Sequence, residues 1–78
     1  MDSLEQFTRR LEQEFEDLSE GTLKENTEFR KIPNWSSMHA LIIIAMVDTE
    51  YDVRLTGEDI RNCITVNDIY KIVSSRKV

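Results

Sequence analysis

An unbroken apolar run, Ala40-Leu41-Ile42-Ile43-Ile44-Ala45-Met46-Val47, restricts the fold of this 78-residue chain more than any other feature. It falls far short of the roughly 18 apolar residues that suggest a membrane span, so it has to be buried inside the protein or covered by a partner. Leu41 to Ile44 is locally as good a strand as a helix, because β-branched residues favour strands and the run has no polar interruptions. Two features decide for a helix from Ser37 to Tyr51. Ser36 and Ser37 offer N-caps, and Ala40, Ile43, Ile44, Val47 and Tyr51 continue one face at helical spacing. Met38, Leu41, Ile42 and Ala45 then lie on a second apolar face. Either this helix is central or that second face meets a partner.

The remaining chain supplies what such a helix packs against. Leu4, Phe7, Leu11, Phe15 and Leu18 recur at helical spacing between Glu, Gln and Arg residues, which predicts an amphipathic first helix. Ser3 and Gln6 have capping-box spacing at its start, and Gly21 is placed to stop it. From Glu20 to Trp35 the pattern has no sustained periodicity, and Gly21, Asn26, Pro33 and Asn34 interrupt it. A connection this long needs anchors, and Leu23, Phe29 and Ile32 can pin it to a core, with a short helical turn. Thr56-Gly57-Glu58-Asp59 before Ile60 starts a short helix that Asn62 or Cys63 ends. Thr65 and Asp68 start a last one, with Val66, Ile69, Tyr70 and Val73 on one face and Arg76 and Lys77 at its end. The expected fold is all-α: a small four-helix bundle in one domain over 1–78, with three main helices, a short third helix and a long first loop.

Charge and composition narrow the chemistry. Fifteen Asp and Glu face 10 Lys and Arg, a net charge of -5 that disfavours nucleic acid and anionic membranes and favours basic protein surfaces. Cys63 is the only cysteine and His39 the only histidine, so a Cys/His metal site or a nucleophile–histidine catalytic arrangement lacks members. The N-terminus has no basic segment followed by an apolar stretch. With a single cysteine and no secretory signal, the expectation is a cytoplasmic monomer that is not an enzyme and holds no metal. His39 reads as an exposed helix residue and Cys63 as a small core or boundary residue. Trp35 anchors the loop against the helix entrance or contacts a partner.

The long loop with Phe29, the Trp35-Ser36-Ser37-Met38 junction, the helix ending in Asp48-Thr49-Glu50-Tyr51-Asp52, the short acidic helix and the Thr65-capped last helix together resemble the acyl carrier protein family. The match spans nearly the whole chain. Family members carry an Asp-Ser-Leu or Asp-Ser-Met signature whose serine receives 4'-phosphopantetheine from coenzyme A through a phosphopantetheinyl transferase; the resemblance places that attachment on Ser37. It implies a discrete acyl carrier that holds acyl intermediates as thioesters for acyl-processing enzymes of fatty acid, polyketide or related secondary biosynthesis. A helix N-terminus suits the resulting anionic phosphodiester, because unpaired N–H groups and the positive end of the dipole face it.

Two positions depart from the family pattern. Ser36 stands where the family usually has Asp, which in family members helps organise the transferase's metal site; as an N-cap, Ser is nearly equivalent. His39 and Ile42 stand near the start of the helix where acids are typical, while Asp48, Glu50, Asp52, Glu58 and Asp59 retain acidic character further on. Partner enzymes with basic surfaces are then expected to meet those acids, with Met38, Leu41 and Ile42 supplying an apolar contact near Ser37. The alternative is an unmodified helical protein-interaction module that uses the face of Met38, Leu41 and Ile42. The cargo is not written in the sequence.

Overall fold

The computed structural model describes residues 2–15, 21–32 and 35–77, and every regular element among them is helical. Helix α1 spans Leu4–Glu14, α2 Ser37–Tyr51, α3 Gly57–Arg61 and α4 Val66–Arg76, with a 3-10 turn at Phe29–Lys31 in the long first loop. Three of the starts carry the Ser or Thr caps that the sequence predicts, and each cap is reciprocated. Ser3 Oγ accepts the Gln6 N–H at 3.2 Å while Gln6 Oε1 accepts the Ser3 N–H at 2.9 Å. Thr56 with Asp59 and Thr65 with Asp68 repeat the pattern on α3 and α4. Each pair satisfies backbone donors that a helix start leaves without an intrahelical acceptor.

The core draws on every helix. Phe7 and Leu11 of α1, Ile43 and Val47 of α2, and Val66, Ile69 and Val73 of α4 are fully buried, and Ile60 of α3 is nearly so. Phe7 packs edge-on or tilted against Tyr51 and Tyr70, with ring centroids 5.5 and 5.4 Å away, so one aromatic contact joins α1, α2 and α4. The two tyrosine hydroxyls both reach the chain start: Tyr51 donates to Asp2 Oδ2 at 3.0 Å and Tyr70 to the Asp2 carbonyl at 2.7 Å. Burial and the Asp2 hydrogen bond push the Tyr51 hydroxyl up to about 12.

The first loop is tied down as its apolar anchors require. Leu23, Phe29 and Ile32 are all buried, and the hydrogen bonds around them hold the described part of the connection. The buried Glu12 carboxylate accepts the N–H groups of Gly21 at 3.0 Å and Leu23 at 2.8 Å. Gly21 takes φ 86°, in the region that favours glycine. Further along, the Val66 and Asn67 N–H groups at the start of α4 donate to the Thr27 and Glu25 carbonyls, and Glu28 bridges to Thr65. Arg30 completes the tie: its guanidinium lies over the Phe29 ring and donates to the carbonyls of Ile60 and Cys63 behind α3.

The first helix is shorter than its apolar spacing predicts. It ends at Glu14, and Phe15 takes an extended conformation as its C-cap, with its N–H donating to the Glu12 carbonyl. Leaving the helix turns the Phe15 ring into the core, where it meets His39. Leu18 lies outside the described residues, as do Pro33 and Asn34. No helix among the described residues is long and apolar enough to cross a membrane.

Candidate functional site

Ser37 is the first residue of α2 and is exposed, with Ser36 extended before it as the cap. Among the described residues the Ser37 hydroxyl has no hydrogen-bond partner. It is exposed at the positive end of α2, beside backbone N–H groups that lack intrahelical acceptors.

The entrance to that helix is built from rings. Phe29 packs on Trp35 at 5.4 Å, Trp35 on His39 at 5.3 Å, and His39 on Phe15 at 5.1 Å between centroids. This row connects the first loop, the chain ahead of α2, the first turn of α2 and the end of α1. Trp35 is half-buried within it, which supports its anchoring role. His39 differs from the sequence expectation: it is half-buried, and its Nδ1 accepts the Ser36 N–H at 3.1 Å and lies 3.2 Å from Ser36 Oγ. It takes the place that Glu or Gln holds in the usual capping box.

The second apolar face of α2 divides. Met38 and Leu41 are 66% and 64% exposed, while Ile42 is half-buried. Ile42 lines a groove of about 350 Å³ with Glu14, Ala45, Met46, Thr49 and Glu50. Ile42 is thus only in part the surface contact expected of it. Met46, which helical spacing had not placed on either face, is buried. Ile64, between α3 and α4, is 57% exposed and carried no sequence signal of its own beyond being apolar in a turn.

The acids also divide. Asp48, Asp52 and Glu58 are exposed, and Asp52 caps α2 in the left-handed region at φ 55°. Glu50 is held by Arg10, with Oε2 3.1 Å from the guanidinium, which also binds Asp2. Asp59, expected to face partners, is committed internally. It caps Thr56 and receives a two-pronged contact from Arg76, at 2.7 and 2.9 Å. The Arg76 hydrogen bonds, with the Thr56 backbone contact behind them, hold this carboxyl well below the usual carboxylate range. Cys63 is buried, and burial pushes its thiol up, away from the reactive thiolate.

Fold and site together define a class no finer than a small all-helical protein with an exposed serine at the mouth of its longest helix. Comparisons of the chain with protein families, with curated proteins and with solved structures find no significant match.

Proposed function

We propose that this chain is a discrete carrier of acyl groups, modified on Ser37 with 4'-phosphopantetheine. The observation that carries the reading is the exposed Ser37 side chain on the first residue of α2, in a chain that resembles acyl carrier proteins from Phe29 through Asp59. The residues present fit the group: a nucleophilic oxygen open to solvent, and a helix N-terminus to accommodate a phosphodiester. In the attachment, Ser37 Oγ bonds to the pantetheine-bearing phosphorus of coenzyme A as its pyrophosphate P–O bond breaks. Adenosine 3',5'-bisphosphate leaves, and the hydroxyl proton passes to a base on the transferase. When bound, the arm supplies a thiol that carries acyl groups as thioesters and presents them to successive enzymes at high effective concentration.

Recognition then rests on α2 and the start of α3. Met38 and Leu41 give short-range apolar contact beside Ser37, while Asp48, Asp52 and Glu58 attract basic enzyme surfaces from a distance. To test the assignment, the protein is coexpressed with a broad-specificity phosphopantetheinyl transferase and its intact mass is measured. Addition of one phosphopantetheinyl group that disappears in Ser37→Ala supports it; no addition, or undiminished addition in Ser37→Ala, removes it.

The exposure of Met38 and Leu41 also favours a second reading, an unmodified interaction module. Under that reading the apo protein captures its partner, Leu41→Asp weakens binding and Ser37→Ala leaves it unchanged. Dependence of binding on the arm decides for the carrier.

A further inference from the structure

Two serines stand side by side at the start of α2, and the structure treats them differently. Ser36 is engaged twice by one nitrogen: its N–H donates to His39 Nδ1 at 3.1 Å, and its Oγ lies 3.2 Å from the same atom. A backbone N–H can only donate. Nδ1 is therefore the accepting ring nitrogen here, and the Ser36 hydroxyl is placed to donate to it as well. The ring cannot swing away easily, because Phe15 and Trp35 pack on it at 5.1 and 5.3 Å. Ser37, one residue on, has no such partner among the described residues.

We propose that His39 is a positioning residue that selects between the two serines, holding Ser36 as the helix cap and leaving Ser37 as the hydroxyl open to modification. This rests on the carrier reading and adds the regiochemistry to it. The competing role for a histidine beside a serine is to take its proton and activate it. The geometry opposes that role here. Nδ1 already accepts the Ser36 N–H, so its lone pair is shared and is not free to take the hydroxyl proton. The contact restrains Ser36 and does not prime it.

The test measures the site of modification after coexpression with a broad-specificity phosphopantetheinyl transferase, by intact mass and tandem mass spectrometry of the α2 peptide. The informative substitution is His39→Phe, which keeps a ring between Phe15 and Trp35 and removes the acceptor; far-ultraviolet circular dichroism establishes that each variant is folded. The wild type is expected to carry the group on Ser37 alone, and Ser37→Ala to carry essentially none. Combining Ser37→Ala with His39→Phe should raise modification of Ser36 by about tenfold over Ser37→Ala, the ratio that one net hydrogen bond supports. His39→Gln should return selectivity to the wild-type pattern, because a Gln at this position can accept the cap N–H as Gln6 does for Ser3. Modification of Ser36 in Ser37→Ala with His39 intact overturns the inference alone, as does a folded His39→Phe double variant that stays unmodified. A wild type that takes up no phosphopantetheine overturns both the inference and the carrier reading.

Discussion

Truncating Phe29 to Ala is the sharpest probe of how the long loop is held. The ring is fully buried, meets Trp35 at 5.4 Å and carries the Arg30 guanidinium on its face at 5.0 Å. Phe→Ala at such a site removes the transfer free energy of the ring and leaves a cavity, together about 3–5 kcal/mol. A chain of 78 residues has a total stability of only about 4–12 kcal/mol at 0.05–0.15 kcal/mol per residue, so this one substitution takes a large share. Loss of the Phe29 ring also frees Arg30 from its seat and with it the bonds to the Ile60 and Cys63 carbonyls. Urea unfolding, followed by circular dichroism and by the fluorescence of the single tryptophan, Trp35, reads the effect. With a slope of about 1–1.5 kcal/mol/M the midpoint should fall by at least about 2 M. Phe29→Leu, which keeps most of the apolar volume, should lose about 1 kcal/mol. A loss below about 1 kcal/mol for Phe29→Ala would refute the view that the loop is pinned through this ring, since exposed loop substitutions generally stay within about 0.5 kcal/mol.

Other consequences follow from single contacts. The Tyr51 hydroxyl is raised in the folded chain, so its contribution is fully present below its unfolded value near 10 and is lost as pH rises toward about 12; Tyr51→Phe should flatten that alkaline decline in melting temperature. Asp59 is lowered, so its contribution is present above the ordinary carboxylate range and is lost as pH falls below about 4. Arg76→Ala should lower stability at pH 7 and reduce the acid loss, measured by urea titrations at pH 7 and pH 3; an unchanged difference between the two would contradict the pairing. Met38→Asp and Leu41→Asp, at exposed positions, should leave the melting temperature nearly unchanged while weakening capture of an acyl-processing enzyme, as read by surface plasmon resonance.

Short-range signals in the sequence located the helices well. Ser3 with Gln6, Thr56 with Asp59 and Thr65 with Asp68 announce their starts because a cap and its reciprocal partner are only three residues apart. Leu23, Phe29 and Ile32 were legible as loop anchors because apolar residues in an otherwise polar connection have few other uses. The orientation of α2 was harder. Its apolar residues run around the helix, so periodicity could not reveal that Met46 is buried while Met38 and Leu41 face solvent. Contacts between distant residues were invisible for a different reason. Arg76 reaches Asp59 across 17 positions, so an acid expected to meet a partner is already engaged within the chain. His39 was read as an exposed helix residue because the capping-box pattern asks for Glu or Gln where the imidazole does the same work. The end of α1 was misplaced because Phe15 keeps helical spacing in sequence while its backbone has already turned.

Everything proposed for function passes through one oxygen atom, and one measurement addresses it. The purified protein is incubated with coenzyme A and a broad-specificity phosphopantetheinyl transferase, and the product is located by tandem mass spectrometry. The carrier account predicts one phosphopantetheinyl group per chain, on Ser37, and none in Ser37→Ala. A folded wild-type chain that remains unmodified, or carries the group elsewhere, would contradict it.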